Sequence, residues 1–440
     1  MTRESTIAGW GRLGVPGQEI LSEDLEAITR DSPLTRGLGR SYGDAALPPR
    51  DRREIAGSRR ADRILSFDSA AGRLRGEAGL SLEELNRILL PRGWFVPVSP
   101  GTEYVTLGGM VAADIHGKNH HRKGTVGRHV RELTIRTPER GIVTASREEN
   151  LDLFRATLGG MGLTGHILEV ALEMQPVPTP WIFGVSQRFD SLSQLAEALT
   201  VWGEEWPFTA AWVDGTAGGG GSGRGILFAG RWAEPEEAPR EPGYRRRFEV
   251  PFEAPEVLLN RASIRLFNAA YFRRHPRARR EELVDHRAFF YPLDAVGSWN
   301  RLYGRRGMTQ YQCVIPAGSG AEGLLDFWGW MRRLDAVPFL AVLKDFGAEG
   351  EGVLSFPRSG FTFALDFPVT PETPSLVGRL NGKLRDLGGR VYLAKDAFTT
   401  AEDFAAMEAE RLDRFLEIKA RWDPEATIRS RLSERLDLVP

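Results

Sequence analysis

Apolar and polar positions along this 440-residue chain change period from segment to segment. Ser81–Leu90, SLEELNRILL, spaces its leucines three and four apart, which predicts a helix. His166–Met174, HILEVALEM, is a short run that predicts a strand. Val105 and Thr106 also suit a strand, leading into Gly108 and Gly109. Short strands alternating with helices in this way predict α+β architecture. PVPTP, Pro176–Pro180, is a stiff break that marks the crossing into a second domain. That domain runs to about Gly389; within it GTAGGGGSGRG, Gly215–Gly225, reads as a hairpin loop and AEPEEAPREPG, Ala233–Gly243, as a mobile stretch. The chain contains no internal repeat.

Glycine is concentrated where chemistry is expected. PGTEYVTLGGMVAADIHGKNHH, Pro100–His121, combines glycines, small residues and four potentially reactive side chains, His116, Lys118, His120 and His121. Gly108, Gly109, Ala112 and Ala113 leave a thin surface against which a flat ligand can lie. A second cluster, RGLGRSYGDA at Arg36–Ala45, starts like a dinucleotide fingerprint, but Tyr42 stands where GxGxxG needs its third glycine. No long apolar strand precedes it, which argues against a Rossmann site, and the chain has no GxxxxGK[ST], which by motif excludes a P-loop. What remains is a loop whose backbone N–H groups, with Arg40 and Ser41, can hold a pyrophosphate as an anion nest.

A formal net charge of -1, with 41% hydrophobic and 27% charged residues, fits a globular enzyme of two domains and gives no support to nucleic-acid binding. The single cysteine, Cys313, excludes an intrachain disulfide and fits a reducing compartment. Neither the N-terminus nor any later segment carries a signal or membrane-spanning run, which predicts a cytoplasmic location. The six lysines, at 118, 123, 344, 383, 395 and 419, stand out against pervasive arginine. A lysine can lose its proton when buried, so it can act as acid or base. Lys395, between apolar VYLA and Asp396, suits such a position; Lys383 and Lys419 read as helix-surface residues. His116 and His120 share a spacing that would suit metal binding on a helix, but Gly117 and the strand pattern before it argue against a helix, so no metal site is expected. RRHPRARR, Arg273–Arg280, suits either a solvated face, diluted by Glu281 and Glu282, or a phosphate- or membrane-facing patch.

Together the two loops and GGMGLTG, Gly159–Gly165, resemble the flavin domain of vanillyl-alcohol-oxidase type proteins in order and spacing. GWGR at Gly9–Arg12, HGKNHH at His116–His121, QYQ at Gln310–Gln312, DFP at Asp366–Pro368 and VYLAKDAFTTAEDF at Val391–Phe404 extend the resemblance over nearly the whole chain. They bring it close to one branch, the polyprenylphosphoryl-ribose 2-oxidases, flavin subunits of the 2′-epimerases that supply an arabinose donor for cell-wall polysaccharide. The resemblance implies a two-domain fold. A bipartite FAD-binding domain spans 1–178 and is completed by 390–440, and an antiparallel-sheet substrate domain flanked by helices spans 179–389.

It implies that FAD is held non-covalently, the first-loop tether position being Arg40, by Arg36, Gly37, Leu38, Gly39, Arg40, Ser41, Tyr42 and Gly43. The second loop adds Gly101, Thr106, Leu107, Gly108, Gly109, Ala113, Asp114, Ile115, His116 and Gly117, and Ile167, Tyr392 and Lys395 complete the site. The implied reaction is oxidation of the 2′-hydroxyl of polyprenylphosphoryl-β-D-ribose to a 2′-ketone. Lys395 would stabilise the reduced flavin, and His116, Tyr42, Lys344 and Gln312 are substrate or proton-relay residues with the base unassigned. A separate NAD(P)H-dependent short-chain reductase would complete epimerisation, and the lipid-linked substrate would require peripheral contact with the inner membrane surface. Two rivals are a sugar or alditol oxidase using oxygen, disfavoured by HGKNHH and YLAKD, and a flavin-binding protein without turnover, disfavoured by Lys395. The chain departs from a frequently studied member of the family at Ala364, where that member has cysteine, and at Thr362, where it has asparagine.

Overall fold

Thr35–Arg36 is a two-residue strand whose end releases the first glycine loop; it pairs in parallel with Glu54–Gly57, which also pairs with Gln18–Leu21. The computed structural model describes residues 5–217, 223–239, 248–255 and 259–439. Next to this small sheet is a five-stranded antiparallel sheet in the order Gly141–Ser146, Val130–Thr137, His166–Glu173, Arg73–Glu77 and Ile64–Asp68. His166–Glu173 is thus a strand, as its residues predict. The helix expected from SLEELNRILL spans Leu82–Leu89, with Ser81 Oγ accepting from Glu84 N at 3.1 Å and Leu82, Leu85 and Leu89 buried. Such a cap contributes about 1 kcal/mol.

Val105 and Thr106 do not form a strand. Thr106 instead caps a helix over Leu107–Ala112, its Oγ1 accepting from Gly109 N at 3.2 Å. An N-cap residue is itself extended, here at φ −97° and ψ 156°, a conformation that suits a β-branched residue, and Thr106 makes only an isolated antiparallel bridge with Ser81 instead of a strand. One helical turn also forms at His120–Lys123, but it begins three residues past Gly117, so His116 and His120 do not share a helical face.

The largest sheet is antiparallel and eight-stranded: Arg280–Asp285, Trp181–Phe189, Gly225–Trp232, Phe208–Val213, Ala341–Phe346, Gly360–Pro368, Met308–Pro316 and Arg390–Val391. It starts at Trp181, immediately after PVPTP. The helices Leu192–Glu205, Gly320–Arg333 and Thr373–Asp386 pack against it. Trp328 stacks on Phe363 with centroids 5.7 Å apart and Tyr311 on Phe327 at 6.3 Å, so the helix-facing side of this sheet is a dry aromatic layer. Truncating one of these rings to alanine costs about 3–5 kcal/mol. Phe208–Val213 and Gly225–Trp232 pair as the expected hairpin, although 218–222 of its glycine loop lie outside the described residues. The expected mobile stretch is described only as far as residue 239, with a turn closed by Glu237 N donating to Glu234 O at 3.0 Å.

Past Val391 the chain turns back to the first glycine loop, where Tyr42 N donates to Ala394 O at 2.9 Å. The helix Glu410–Trp422 then packs on Leu151–Thr157. It carries a correction to the sequence reading: Lys419 is not a surface residue but 0% exposed, its Nζ donating to Leu163 O, Asp423 Oδ2 and Ile428 O at 2.7–2.9 Å. Lys383 is only partly exposed and pairs with Asp326. Among the described residues no helix is long and apolar enough to cross a membrane.

Candidate active site

The glycine loops and the largest sheet meet around one elongated cavity. Its first wall is Gly37–Tyr42. Gly39 adopts φ +64°, which only glycine takes without strain, and among the described residues the amides of Leu38, Gly39 and Ser41 have no protein acceptor. Successive free N–H groups on such a turn form a concavity for an anion, and the Arg40 guanidinium lies beside it, between the rings of Trp10 at 4.0 Å and Tyr104 at 4.9 Å. The second wall is Gly101 and the segment Thr106–His116. A Cβ at Gly101 would meet nothing within 4 Å, and one at Gly109 only Thr106 Oγ1 at 3.1 Å, so both keep the surface flat towards the cavity. Gly108 answers a different need: its Cβ would lie 2.9 Å from that of Ala78, so it lets the helix pack on its neighbour.

The third wall comes from alternation along three strands. Side chains two apart on a strand share a face, and the register places Gln310 opposite Asp366, Gln312 opposite Ala364, Ala364 opposite Val342, and Lys344 opposite Thr362. The intervening Tyr311, Cys313, Phe363 and Leu365 enter the apolar layer. Polar residues from three distant stretches therefore converge on one side of the sheet. Gln312 Nε2 donates to His116 Nε2 at 3.0 Å and to Thr362 Oγ1 at 3.3 Å, and Thr362 Oγ1 donates to Cys313 O at 2.8 Å. An amide nitrogen is only a donor, which assigns Nε2 of His116 as acceptor and its proton to Nδ1, a buried atom with no partner among the described residues.

The returning segment Tyr392–Lys395 closes the cavity. Tyr392 OH donates to Ala113 O at 2.9 Å, tying this arm to the glycine helix, and Lys395 Nζ sits 3.8 Å from the Tyr42 ring centroid. Burial lowers the Lys395 ammonium to about 8 against the opposing pull of Asp366, and lowers Lys344 to about 7 with help from the charges of Lys118 and Lys395. His116 is pushed well below its ordinary range by burial and then by Lys344, His120 and Lys395, so it is neutral. Burial raises Asp366 to about 6 although Gln310, Lys395 and Tyr303 favour its charge. The site therefore holds one lysine that is charged near neutrality and one that is readily deprotonated, on opposite segments of chain.

All five residues expected to act in chemistry, Lys395, His116, Tyr42, Lys344 and Gln312, line this cavity. So do Gly37, Leu38, Gly39, Arg40, Ser41, Gly101, Thr106, Gly108, Gly109, Ala113, Ile115, Ile167 and Tyr392. Five expected cofactor contacts stand behind the wall instead. The Arg36 guanidinium turns inward to Glu19, Ala8 O and Ala46 O; Gly43 abuts Asp396 O; Leu107 is core; Asp114 accepts from Ser355 Oγ and Gly127 N; Gly117 abuts Ser99 O. Lys118 Nζ donates to Phe290 O at 3.2 Å and reaches the site only through its charge. His120 Nδ1 accepts from Gly347 N and His121 Nε2 donates to Trp206 O, so the histidine cluster disperses. Among the described residues no group of three or more His, Cys, Asp or Glu is arranged to hold a metal ion.

Sequence reasoning did not single out several wall residues: Thr102, Met161, Asp294, Trp299 and Leu340 line the cavity, and Asp366 lies behind it. The quoted motifs GGMGLTG and DFP were the available signal for Met161 and Asp366.

Residues 28–146 match the family described as FAD binding domain. Over its full length the chain is 33% identical to the decaprenylphosphoryl-β-D-ribose oxidase of Mycolicibacterium smegmatis, of which it covers 98%. It is also 33% identical over 377 residues, 82% of its length, to an uncharacterised protein of Streptomyces coelicolor that it covers completely. Cytokinin dehydrogenase 4 of Oryza sativa subsp. japonica is 32% identical over 191 residues, 39% of this chain and 34% of that protein. A flat glycine wall with an anion nest, facing buried lysines, is an arrangement that fits a flavin cofactor and the alcohol it oxidises; the chain belongs to the FAD-dependent oxidoreductase family of the decaprenylphosphoryl-β-D-ribose oxidases.

Proposed function

We propose that this protein oxidises the 2′-hydroxyl of a polyprenylphosphoryl-β-D-ribose to the 2′-ketone. The observation that carries the reading is the convergence of Lys344, Lys395, Gln312 and His116 on the glycine-walled cavity of a chain matched end to end by a ribose oxidase. The residues present fit FAD. The unpartnered amides of Leu38, Gly39 and Ser41 suit its diphosphate, Gly101 and Gly109 leave room for a flat body, and His116 Nδ1–H needs an acceptor. Arg40 stands at the first-loop position where a histidine or cysteine would tether the flavin, which supports non-covalent binding.

FAD, when bound, supplies the acceptor for the hydride that leaves the carbinol carbon. The hydroxyl proton goes to Lys344 Nζ, whose lowered pKa of about 7 leaves it free to accept. Lys395 keeps its positive charge below about pH 8 and stabilises negative charge that develops beside it. Gln312, fixed between Thr362 and His116, orients the sugar, and Tyr42 presents its ring under Lys395. Residues 1–178 and 390–440 form the cofactor-binding body and 179–389 the substrate-binding body, the chain crossing back through Arg390–Val391, the edge strand of the large sheet. The ketone is a substrate for an NAD(P)H-dependent short-chain reductase, and the protein works in the cytoplasm at the inner membrane surface.

Anaerobic mixing with a polyprenylphosphoryl ribose, with xylitol in parallel, tests this. Bleaching of the flavin spectrum by the phosphoribose alone is the expected result; bleaching by xylitol alone overturns the substrate assignment.

A further inference from the structure

The helix Arg261–Arg274 is held to the protein by only one side. Ile264, Asn268 and Phe272 are buried, and Asn268 Nδ2 donates to Asp214 Oδ1 at 2.8 Å. The opposite side bears large apolar groups in solvent: Leu266 is 74% exposed and Phe267 65%. At 100° per residue Ala262, Leu266 and Ala270 fall in one stripe, with Phe267 at its edge and Arg273 and Arg274 at its C-terminal end. Among the described residues no carboxylate pairs with Arg265, Arg273 or Arg274. The remaining arginines of the basic run behave differently: Arg277 pairs with Asp190, Arg279 with Glu205 and Arg280 with Glu282. The RRHPRARR run therefore divides into an ion-paired half and a half that faces outward beside exposed leucine and phenylalanine.

This face is connected to the cavity by packed rings. Phe267 stacks on Tyr271 with centroids 6.0 Å apart, Tyr271 meets the edge of Trp212 at 5.1 Å, and Leu340 of the same cluster lines the cavity. Phe248 and Phe252 are each 67% exposed, and Phe248–Glu249 pairs in parallel with Val296–Gly297, close in the chain to the cavity-lining Trp299.

We infer that the Ala262–Arg274 face is a membrane-contact surface that seats the protein on an anionic bilayer, Leu266 and Phe267 entering the acyl boundary and Arg273 and Arg274 meeting lipid phosphates. Solvent-exposed leucine and aromatic side chains on a helix with arginines at its border are what an interfacial helix requires, and long arginine stems reach headgroups while their carbons lie on apolar surface. The packed rings from Phe267 to Leu340 set this face over an apolar layer that reaches the cavity wall, so a bilayer seated on it brings the lipid chain of a membrane-borne substrate beside the cavity; this part rests on the proposed function, whereas the bilayer contact does not. Isolated exposed apolar residues are ordinary, but Leu266 and Phe267 adjoin each other on a face whose arginines pair with no carboxylate among the described residues.

The test is co-sedimentation of the full-length holoprotein with vesicles of phosphatidylcholine alone or mixed with phosphatidylglycerol. The expected result is partitioning onto the anionic vesicles that weakens with salt, falls about tenfold in a Leu266→Ser/Phe267→Ser variant, and loses its anionic preference in an Arg273→Gln/Arg274→Gln variant. Both variants should keep the wild-type flavin spectrum and turnover of a short-chain, water-soluble polyprenylphosphoryl ribose, because none of these four residues lines the cavity. Failure of the wild type to bind anionic vesicles, equal binding by the apolar variant, or a concentration-dependent dimer that the apolar variant abolishes each overturns the inference. Vesicle binding by a protein that does not oxidise the phosphoribose supports the surface and strikes only the substrate reading.

Discussion

Replacing Lys419 by methionine tests whether a buried cation holds one wall of the flavin cavity. The substitution keeps an unbranched stem and removes the ammonium, which donates to Asp423 Oδ2 at 2.7 Å and to Leu163 O and Ile428 O at 2.9 Å each. Asp423 remains fully buried, still bonded by Thr427 and Ile428 N–H groups, but without its counter-charge. Breaking such a pair by removing one partner costs about 3–5 kcal/mol. Unfolding entropy near 60 °C is about 2.1 cal/mol/K per residue, or about 0.9 kcal/mol/K for this chain, so a loss of about 4 kcal/mol lowers Tm by about 4 °C. The deficit also has a pH signature. Asp423 is held below its ordinary carboxyl range against the penalty of burial by Lys419 and its hydrogen bonds, so the stability this confers is present above pH ~4 and lost as pH falls. The difference in Tm between wild type and variant therefore narrows in acid. Leu163 O belongs to the Gly159–Gly165 loop whose Met161 and Gly162 line the cavity, so flavin affinity falls as well. Thermal unfolding by circular dichroism, with flavin content measured by absorbance, checks both effects. A Tm within about 1 °C of wild type and full flavin occupancy would refute the reasoning.

The remaining expectations concern the cavity itself. The rate of anaerobic flavin reduction should rise through about pH 7 as Lys344 loses its proton and decline above about pH 8 as Lys395 loses its charge; Lys344→Met should lower the rate by roughly 10²-fold and flatten the acid limb, and an unchanged profile in stopped-flow traces rules out the base role. Gly101→Leu should fold normally, because nothing lies within 4 Å of the new Cβ, yet purify with little flavin; a normal flavin-to-protein ratio contradicts the placement of that wall. Wild-type protein should resist thiol reagents under native conditions because Cys313 is buried on the helix side of its sheet, whereas Ala364→Cys should label by mass spectrometry and protect on substrate binding.

What the sequence made legible follows from how local each structural demand is. Gly39 needs a positive φ and Gly101 needs an empty side-chain volume, and both requirements are written at single positions. Gln312 and Lys344 could be nominated, but not the wall they share, because its register joins Met308–Pro316, Ala341–Phe346 and Gly360–Pro368 across long loops. Arg36, at the start of a glycine loop, was expected to contact the cofactor; only tertiary structure shows that Glu19 takes its guanidinium. Lys419 was misread as exposed although a lysine four residues before an aspartate, in a helix rich in leucine, phenylalanine and tryptophan, was a usable sign of an internal pair. Thr106 was read as a strand because an N-cap and a strand ask for the same backbone angles.

Along Gly360–Pro368 the even-numbered Thr362, Ala364 and Asp366 lie on the cavity side of the strand, and the odd-numbered Phe363, Leu365 and Phe367 belong to the apolar scaffold. The two inventories can therefore change at different speeds. Ligand preference is free to drift by point substitution at alternate positions without loosening the aromatic layer beneath. A one-residue insertion would exchange the inventories, presenting Phe363 to the ligand and burying the Asp366 carboxylate in the apolar layer. In this family's lineage new substrates should thus be reached by replacement within these strands and by length changes only in the loops that join them.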